Sequence, residues 1–436
     1  MDDVRVNRAD RRQPAFEMVD LERLVADDHR VRAVWAFVET LDLSVFYARI
    51  KARGGTAGRP AADPRILLAL WLYATIEGVG SARALDRLCG RDVIYRWICG
   101  GVGVNHELLR TFRNESGEFL DQLLTQSLTA LIEEGLIDLD EVTTDGTKVR
   151  ASASRSSMRH KPRVVEIEAE LAANIARLRR ELDADPAATE RRLTVRQLAA
   201  TEERARRVRA AGEKFAEREA ERSERAKQHP GEAAASNADS PRVSTTDPDA
   251  RVMKMADGAT RPAYNVQVGT AQEFIVAIEP TDQGNDRGLA PAVVAQVERR
   301  TGRAPLRLLA DGTAMTEEDI VGFAESHPEM AVFAPPKACS ETAKPASRKR
   351  YERKLAREPQ CLKDWRARMA SEAGKAVYAR RSNTEHPHGR MKNCGFGRML
   401  VRGLKKVRAV CLLHAVAHNL ILAGARRARR AGWVAA

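Results

Sequence analysis

Aromatic side chains are scarce in this sequence: five Trp, six Tyr and ten Phe make up 5% of its 436 residues. A shortage of rings alongside 31% charged residues argues against a large β-sandwich and for a helix-rich, surface-heavy chain of two or three domains. The six cysteines (Cys89, Cys99, Cys339, Cys361, Cys394 and Cys411) include no CxxC pair, which excludes a zinc knuckle and a disulfide framework and leaves reduced thiols. The longest apolar runs, ILLALWLYATI (66–76) and VCLLHAVAHNLILAGA (410–425), are too short or too polar to span a bilayer. The start, MDDVRVNRADRRQP, has no apolar signal core. A soluble cytoplasmic protein with no membrane partner is therefore expected. No G-x-x-x-x-G-K-[ST] occurs, which argues against ATP use, and no G-x-S-x-G, which argues against a serine hydrolase.

Charge is what the sequence has in excess, and its placement matters more than its total. The formal net charge is +13. From Tyr378 to Ala436 there are thirteen Lys or Arg and one acid, Glu385, so this stretch alone nets +12. A polyanionic partner, nucleic acid above all, fits such a segment; an acidic membrane or mere solubility are the alternatives.

Along the chain, DDHRVRAVWAFVETLDLS has an acidic start and an apolar stripe of Val31, Val34, Trp35 and Val38, which predicts a helix. After the Gly/Pro linker KARGGTAGRPAADP, helices are expected over 64–78, 81–101 and 105–116, open to a helix-turn-helix reading or that of a plain bundle. EVTTDGTKV (141–149) is β-prone. Val164, Ile167, Leu171, Ile175, Leu178 and Leu182 recur at helical spacing, and after a break at Asp185-Pro186 a second charged run reaches Lys227, predicting a helical hairpin or short coiled coil. HPGEAAASNADSPRVSTTDPDA (229–250) reads as a flexible linker. A β-hairpin is expected from AYNVQVG and EFIVAIEP, turning near Thr270-Ala271. Helix 289–302, strand 306–311, helix 316–326 and strand 330–336 follow. The expected fold is α/β: an N-terminal helical domain (1–135), then a catalytic domain (136–430) with a mixed sheet flanked by helices, interrupted by a helical arm and linker at 151–255.

Two aspartates, Asp145 in TTDGT and Asp311 in LADGT, are read as strand-end carboxylates with open space beside them. A turn is the bland reading of either Asp-Gly alone. Glu385, on a helix crossing that sheet edge, would supply a third oxygen ligand. Three carboxylates suit Mg²⁺ or Mn²⁺ far better than zinc, and a pair of such ions serves phosphoryl transfer. Tyr378, Arg381 and Glu385 fall at i, i+3 and i+7, one face of a helix; Lys392 lies seven further on, past Pro387, which is expected to kink or end the helix. Asp138, Asp140 and Glu141 compete for the first carboxylate position, and Asp282 and Asp286 for the second, though all of these are read as loop charges. His414 and His418, at i and i+4, have a spacing that could bind a metal, but in an apolar run with no Glu after His414 they read as packed or capping side chains. His386 and His388 either touch DNA or orient the turn.

The spacing Tyr378-x2-Arg381-x3-Glu385-x6-Lys392 resembles the Y-x2-R-x3-E-x6-K signature of bacterial insertion-sequence transposases of the DDE type. The resemblance implies a ribonuclease-H-like core on which Asp145, Asp311 and Glu385 are the catalytic, metal-binding acids, with Tyr378, Arg381 and Lys392 contacting DNA. It also implies Mg²⁺ (or Mn²⁺) as cofactor and double-stranded DNA, both element ends and target, as partner. A homodimer on that DNA and a nucleoid-associated location in a bacterial cytoplasm follow from the same likeness. The N-terminal helices are then similar to the family's end-binding domain. One departure is that DGTAM lacks the aromatic residue such chains often carry after the second Asp. Two other readings stand beside it: a catalytically inactive DNA-binding descendant, and a coiled-coil scaffold with a solubilising tail.

Overall fold

The computed structural model describes residues 20–52, 60–184, 191–228, 241–337 and 345–432. Helices α1 (Arg30–Glu39), α2 (Ser44–Arg49), α3 (Pro64–Ile76), α4 (Ala82–Arg91), α5 (Val93–Cys99), α6 (His106–Glu115) and α7 (Gly117–Glu133) form the N-terminal part. Their starts are capped as the sequence dictates: Asp63, Ser81, Asp92 and Asn105 each accept a backbone N–H of the first turn. Val31, Val34 and Val38 are buried, as their spacing predicts, and α3 is buried along almost its whole length.

Six strands make one mixed sheet: β1 (Glu141–Arg150), β4 (Arg251–Lys254), β5 (Thr260–Ala271), β6 (Phe274–Thr281), β7 (Arg307–Ala310) and β8 (Ala331–Phe333). β1 runs antiparallel to β5 and parallel to β7, and β7 runs parallel to β8. β4 and β6 both pair with the far edge of β5. A separate two-residue ribbon joins β2 (Met158–Arg159) to β3 (Val243–Ser244). The second half of the expected linker is thus ordered, because Ser157 and Ser244 hydroxyls meet at 2.7 Å and Asp247 accepts from the Tyr264 hydroxyl at 2.7 Å. The predicted hairpin turns at Gln272-Glu273, later than Thr270-Ala271. Both turn residues have positive φ (48° and 71°), a conformation that non-glycine residues rarely take.

The arm is a helical hairpin, α8 (Lys161–Ala184) and α9 (Arg191–Gln228), with a core of its own containing Val164, Ile167, Leu171, Val208 and Phe215. The predicted break at Asp185-Pro186 lies outside the described residues. Helices α10 (Ala290–Thr301), α11 (Glu317–Ser326), α12 (Pro345–Ala356), α13 (Gln360–Ala370) and α14 (Glu372–Ala379) follow. A 3-10 stretch (Arg380–Thr384) then leads to α15 (Glu385–Met391), a π turn (Lys392–Phe396) and α16 (Leu404–Arg430).

The run 410–425 belongs to a longer helix than its composition suggested. At 27 residues α16 is long and apolar enough to cross a membrane by length and composition, which corrects the expectation. Its apolar side is instead buried: Val407, Cys411, Leu412, Val416 and Leu422 join one continuous core with α3, α7 and β6. His414 is packed in that core against the Phe396 ring at 4.8 Å, and burial pulls its pKa down to about 3. The unfolded chain therefore binds a proton between pH 6.5 and about 3 that the folded chain refuses. Stability is expected to be intact above pH 6.5 and to fall below it, by about 3 kcal/mol at pH 4.5 from this residue. Denaturant titrations of the wild type and His414→Leu check this: the variant should lose that part of the acid slope.

Candidate functional site

The register of the parallel pair β1/β7 builds the site. Thr144 stands beside Ala310, so Asp145 and Asp311 are the next residues on two neighbouring strands. Asp311 does end its strand. Asp145 does not, which corrects the strand-end reading, because β1 continues to Arg150 along β5. What ends at Asp145 is the pairing with β7, and that opens the space a strand end would have given.

Each glycine of the two D-G-T motifs has a steric cause. A Cβ on Gly146 would stand 1.9 Å from Asp286 Oδ1, and one on Gly312 2.3 Å from the Pro335 carbonyl oxygen. The second obstacle is backbone and cannot swing aside. Gly312→Ala is therefore expected to cost about 1–3 kcal/mol by overpacking and to displace Asp311. Gly322 gives the contrast, because it lies mid-helix and a methyl group there would meet nothing within 4 Å. Gly322→Ala should stabilise by about 0.5–1 kcal/mol. Thermal melts of the two variants test both signs.

Arg381 lies across the two aspartates. Its Nη2 donates to Asp311 Oδ2 at 3.1 Å, its Nη1 is 3.9 Å from Asp145 Oδ2, and its Nε donates to the Tyr378 hydroxyl at 3.4 Å. Asp311 is further held by the Thr313 N–H and hydroxyl, both at 2.7 Å. Burial alone would raise the Asp311 pKa, but these bonds and Arg381 outweigh it and hold the carboxyl below its ordinary value. Asp145 goes the other way. Its burial, with help from the charges of Asp286 and Asp311, pushes it up against the opposing pull of Arg381 and the Gly146 N–H. The two carboxylates of one hollow are thus pushed in opposite directions, Asp145 up by burial and Asp311 down by its hydrogen bonds.

His388, read from the sequence as touching DNA or orienting the turn, lies on the other side of Asp145. Its Nδ1 is 3.8 Å from Asp145 Oδ2, and its Nε2 is buried without a hydrogen-bond partner. Burial, then the charges of Lys392 and Arg381, lower its pKa to about 4, so the imidazole is neutral at pH 7. Lys392 itself is exposed, in the π turn after α15.

Tyr378, Arg381 and Glu385 do not share one continuous α-helix: α14 ends at Ala379 and a 3-10 stretch intervenes. Pro387 neither kinks nor ends the helix that holds it. It lies in the first turn of α15, where its missing N–H would have had no intrahelical partner. The Glu385 side chain, at the first position of α15, is exposed. Among the described residues no three His, Cys, Asp or Glu side chains are grouped to hold a metal ion. The two aspartates, both half-buried, offer carboxylate oxygens of the kind that fit a hard cation, and Glu385 is exposed.

The rival acids are engaged elsewhere. Glu141 pairs with Arg380, Nε to Oε1 3.0 Å; Asp140 and Asp138 face Arg303 at 3.3 and 4.0 Å; Asp282 faces Arg251 at 3.6 Å. Asp286 accepts from the buried amides of Asn265 and Gln267, both at 2.7 Å. Since side chains alternate along β1, it stands over the face of Gly146, opposite that of Asp145.

Next to the site, a cleft of about 640 Å³ opens between the N-terminal helices, α15 and α16. Arg30, Arg390, Arg426 and Arg429 line it, and Glu273 is its only carboxylate among the described residues. Glu273 holds Arg390 at 3.0 Å and His386 at 3.2 Å, so its charge is already answered. His418 Nε2–H donates to the Glu273 carbonyl oxygen, 2.9 Å away, and like His414 is packed, as its apolar surroundings predicted.

Comparison with known proteins gives two matches. Residues 336–422 match the family described as Transposase DDE domain, a span that includes Tyr378, Arg381, Glu385 and Lys392. Residues 19–115, helices α1 to α6, match that described as Transposase domain (DUF772). No curated protein and no solved structure matches the chain. Two separate stretches are thus similar to transposase domains.

Proposed function

We propose that the chain is a DNA transposase of the DDE type, which cleaves strands at insertion-sequence ends and joins them to target DNA. The observation that carries this reading is the pairing of Asp145 and Asp311 at the opening between β1 and β7, with the matched segment laid across it. The strand order, β1 between the antiparallel hairpin and the parallel strands β7 and β8, supports a ribonuclease-H-like core.

On this reading Asp145, Asp311 and Glu385 would hold Mg²⁺ or Mn²⁺, which would supply activation of an attacking oxygen and charge stabilisation at the leaving one. The residues of the chain supply position. Arg381 and Tyr378 already share a hydrogen bond at the mouth of the site, where a guanidinium fork can take two oxygens of one phosphate. Lys392 adds a point charge on the same segment. Neutral His388 fills the floor beside Asp145 and excludes water. The arginine-rimmed cleft supports double-stranded DNA as the partner, and the need to bring two ends together supports a dimer on it.

Exposure of Glu385 favours one second reading, a DNA-binding descendant that no longer cuts. A single assay separates the two: supercoiled plasmid carrying the inverted repeats that flank the coding region, incubated with protein and Mg²⁺. Metal-dependent nicking at the repeat ends is expected. Binding without nicking would select the inactive descendant.

A further inference from the structure

Arg381 stands where a cation bridging the two aspartates would stand. Its guanidinium is 3.1 Å from Asp311 Oδ2 and 3.9 Å from Asp145 Oδ2, and half-buried. A divalent ion binds such oxygens at about 2.1 Å, leaving no room for a guanidinium on the same atom and placing two like charges side by side. Glu385 is four residues on in the same segment, beyond the 3-10 stretch, and its carboxylate is free of the site. The segment thus offers the aspartates a cation while its acid stays outside. The neighbouring cations Arg380 and Arg390 are held elsewhere, by Glu141 and Glu273.

We propose that Arg381 is a resident counter-ion of the aspartate pair, which a divalent metal displaces and which a DNA phosphate draws away. This rests on the proposed function above. The two half-buried carboxylates stand side by side in the DNA-free protein, and the guanidinium supplies a positive neighbour to both. A phosphate offers Arg381 an equally good bidentate partner. DNA and metal then favour each other's binding: the phosphate takes the guanidinium, and the vacated carboxylates take the ion. By reciprocity, metal tightens DNA binding by the same factor. A chain built this way holds metal weakly until DNA is present.

The test is Mn²⁺ binding to the full-length protein without DNA, followed by electron paramagnetic resonance. Arg381→Gln should bind Mn²⁺ at least tenfold more tightly than the wild type, and Arg381→Met should do the same. Arg380→Gln, which removes the same charge one residue away, should stay within twofold. A random-sequence 20-base-pair duplex should tighten Mn²⁺ binding by the wild type and leave Arg381→Gln unchanged. Unaltered or weaker Mn²⁺ binding by both Arg381 variants, with thermal melts showing them folded, would overturn the proposal, as would equal tightening by DNA in wild type and variant. Asp145→Asn in the Arg381→Gln background keeps the two failures apart. If the double variant still binds Mn²⁺ tightly, the metal site itself has been misassigned, and with it the catalytic reading.

Discussion

Asp145→Asn and Asp311→Asn each reduce Mg²⁺-dependent nicking at the element ends on the order of a thousandfold, about 4 kcal/mol of barrier, and leave DNA binding almost unchanged. Glu385→Gln behaves alike, although its carboxylate is exposed in the DNA-free arrangement. The three differ in a second respect. Asp145 is half-buried and its charged form is disfavoured, so Asp145→Asn removes a repulsive charge and should raise or preserve thermal stability. Asp311→Asn weakens an ionic bond to Arg381 and the hold of a carboxylate on Thr313, and should lower it slightly. Opposite shifts in melting temperature with equal loss of nicking would mark a site assembled for chemistry at the expense of stability. Normal nicking by Asp145→Asn would remove this residue from the catalytic set, and with it the meaning given to the β1/β7 register. Gel-shift titrations at two salt concentrations supply the binding arm: steep salt dependence is expected of all three variants, because the arginine-lined cleft is untouched.

How far the sequence could be read depended on whether a feature was local. The stripe Val31, Val34, Val38 and the heptad-like run from Val164 gave helices where helices stand, since burial of one face is written in spacing. The pairing of Asp145 with Asp311 was legible only as a coincidence of two D-G-T motifs; the register Thr144 to Ala310 that makes them neighbours is set by chain far from either. β4 went unseen because four residues, RVMK, carry too little alternation, and it is β5 that selects them. The turn at Gln272-Glu273 has no glycine or asparagine to betray it. It is held from outside instead, by His386 and Arg390 on Glu273 and by the Asp138 N–H on Gln272 Oε1. A helical wheel assumes one helix, and the 3-10 geometry at Arg380–Thr384 breaks that assumption between Tyr378 and Glu385.

The largest effect on stability is expected far from the candidate site, at Asp121 on α7. Three arginines converge there. Arg300, its side chain wholly buried, donates to the Asp121 carbonyl at 2.9 Å and to the Thr125 hydroxyl at 3.1 Å, and pairs with the Asp121 carboxylate. Arg299 and Arg408 reach the same carboxylate at 3.0 and 3.2 Å, and Arg408 continues to Glu279 of β6 at 3.0 Å. One carboxylate thus ties the N-terminal helices to α10, α16 and the sheet. Burial opposes its charge, but Arg300, Arg299 and Arg408 together prevail and keep its pKa below the usual carboxylate value. Asp121→Ala leaves Arg300 charged and unanswered in the interior, which costs about 3–5 kcal/mol. The double variant Asp121→Leu/Arg300→Met, which removes both charges and refills the space, should recover most of that loss, because the penalty lies in the stranded guanidinium more than in the missing bond. Denaturant unfolding of the two variants decides it. A loss under about 1 kcal/mol in the single variant would mean that water reaches Arg300, and that the ionic knot does not bind the helical part to the sheet.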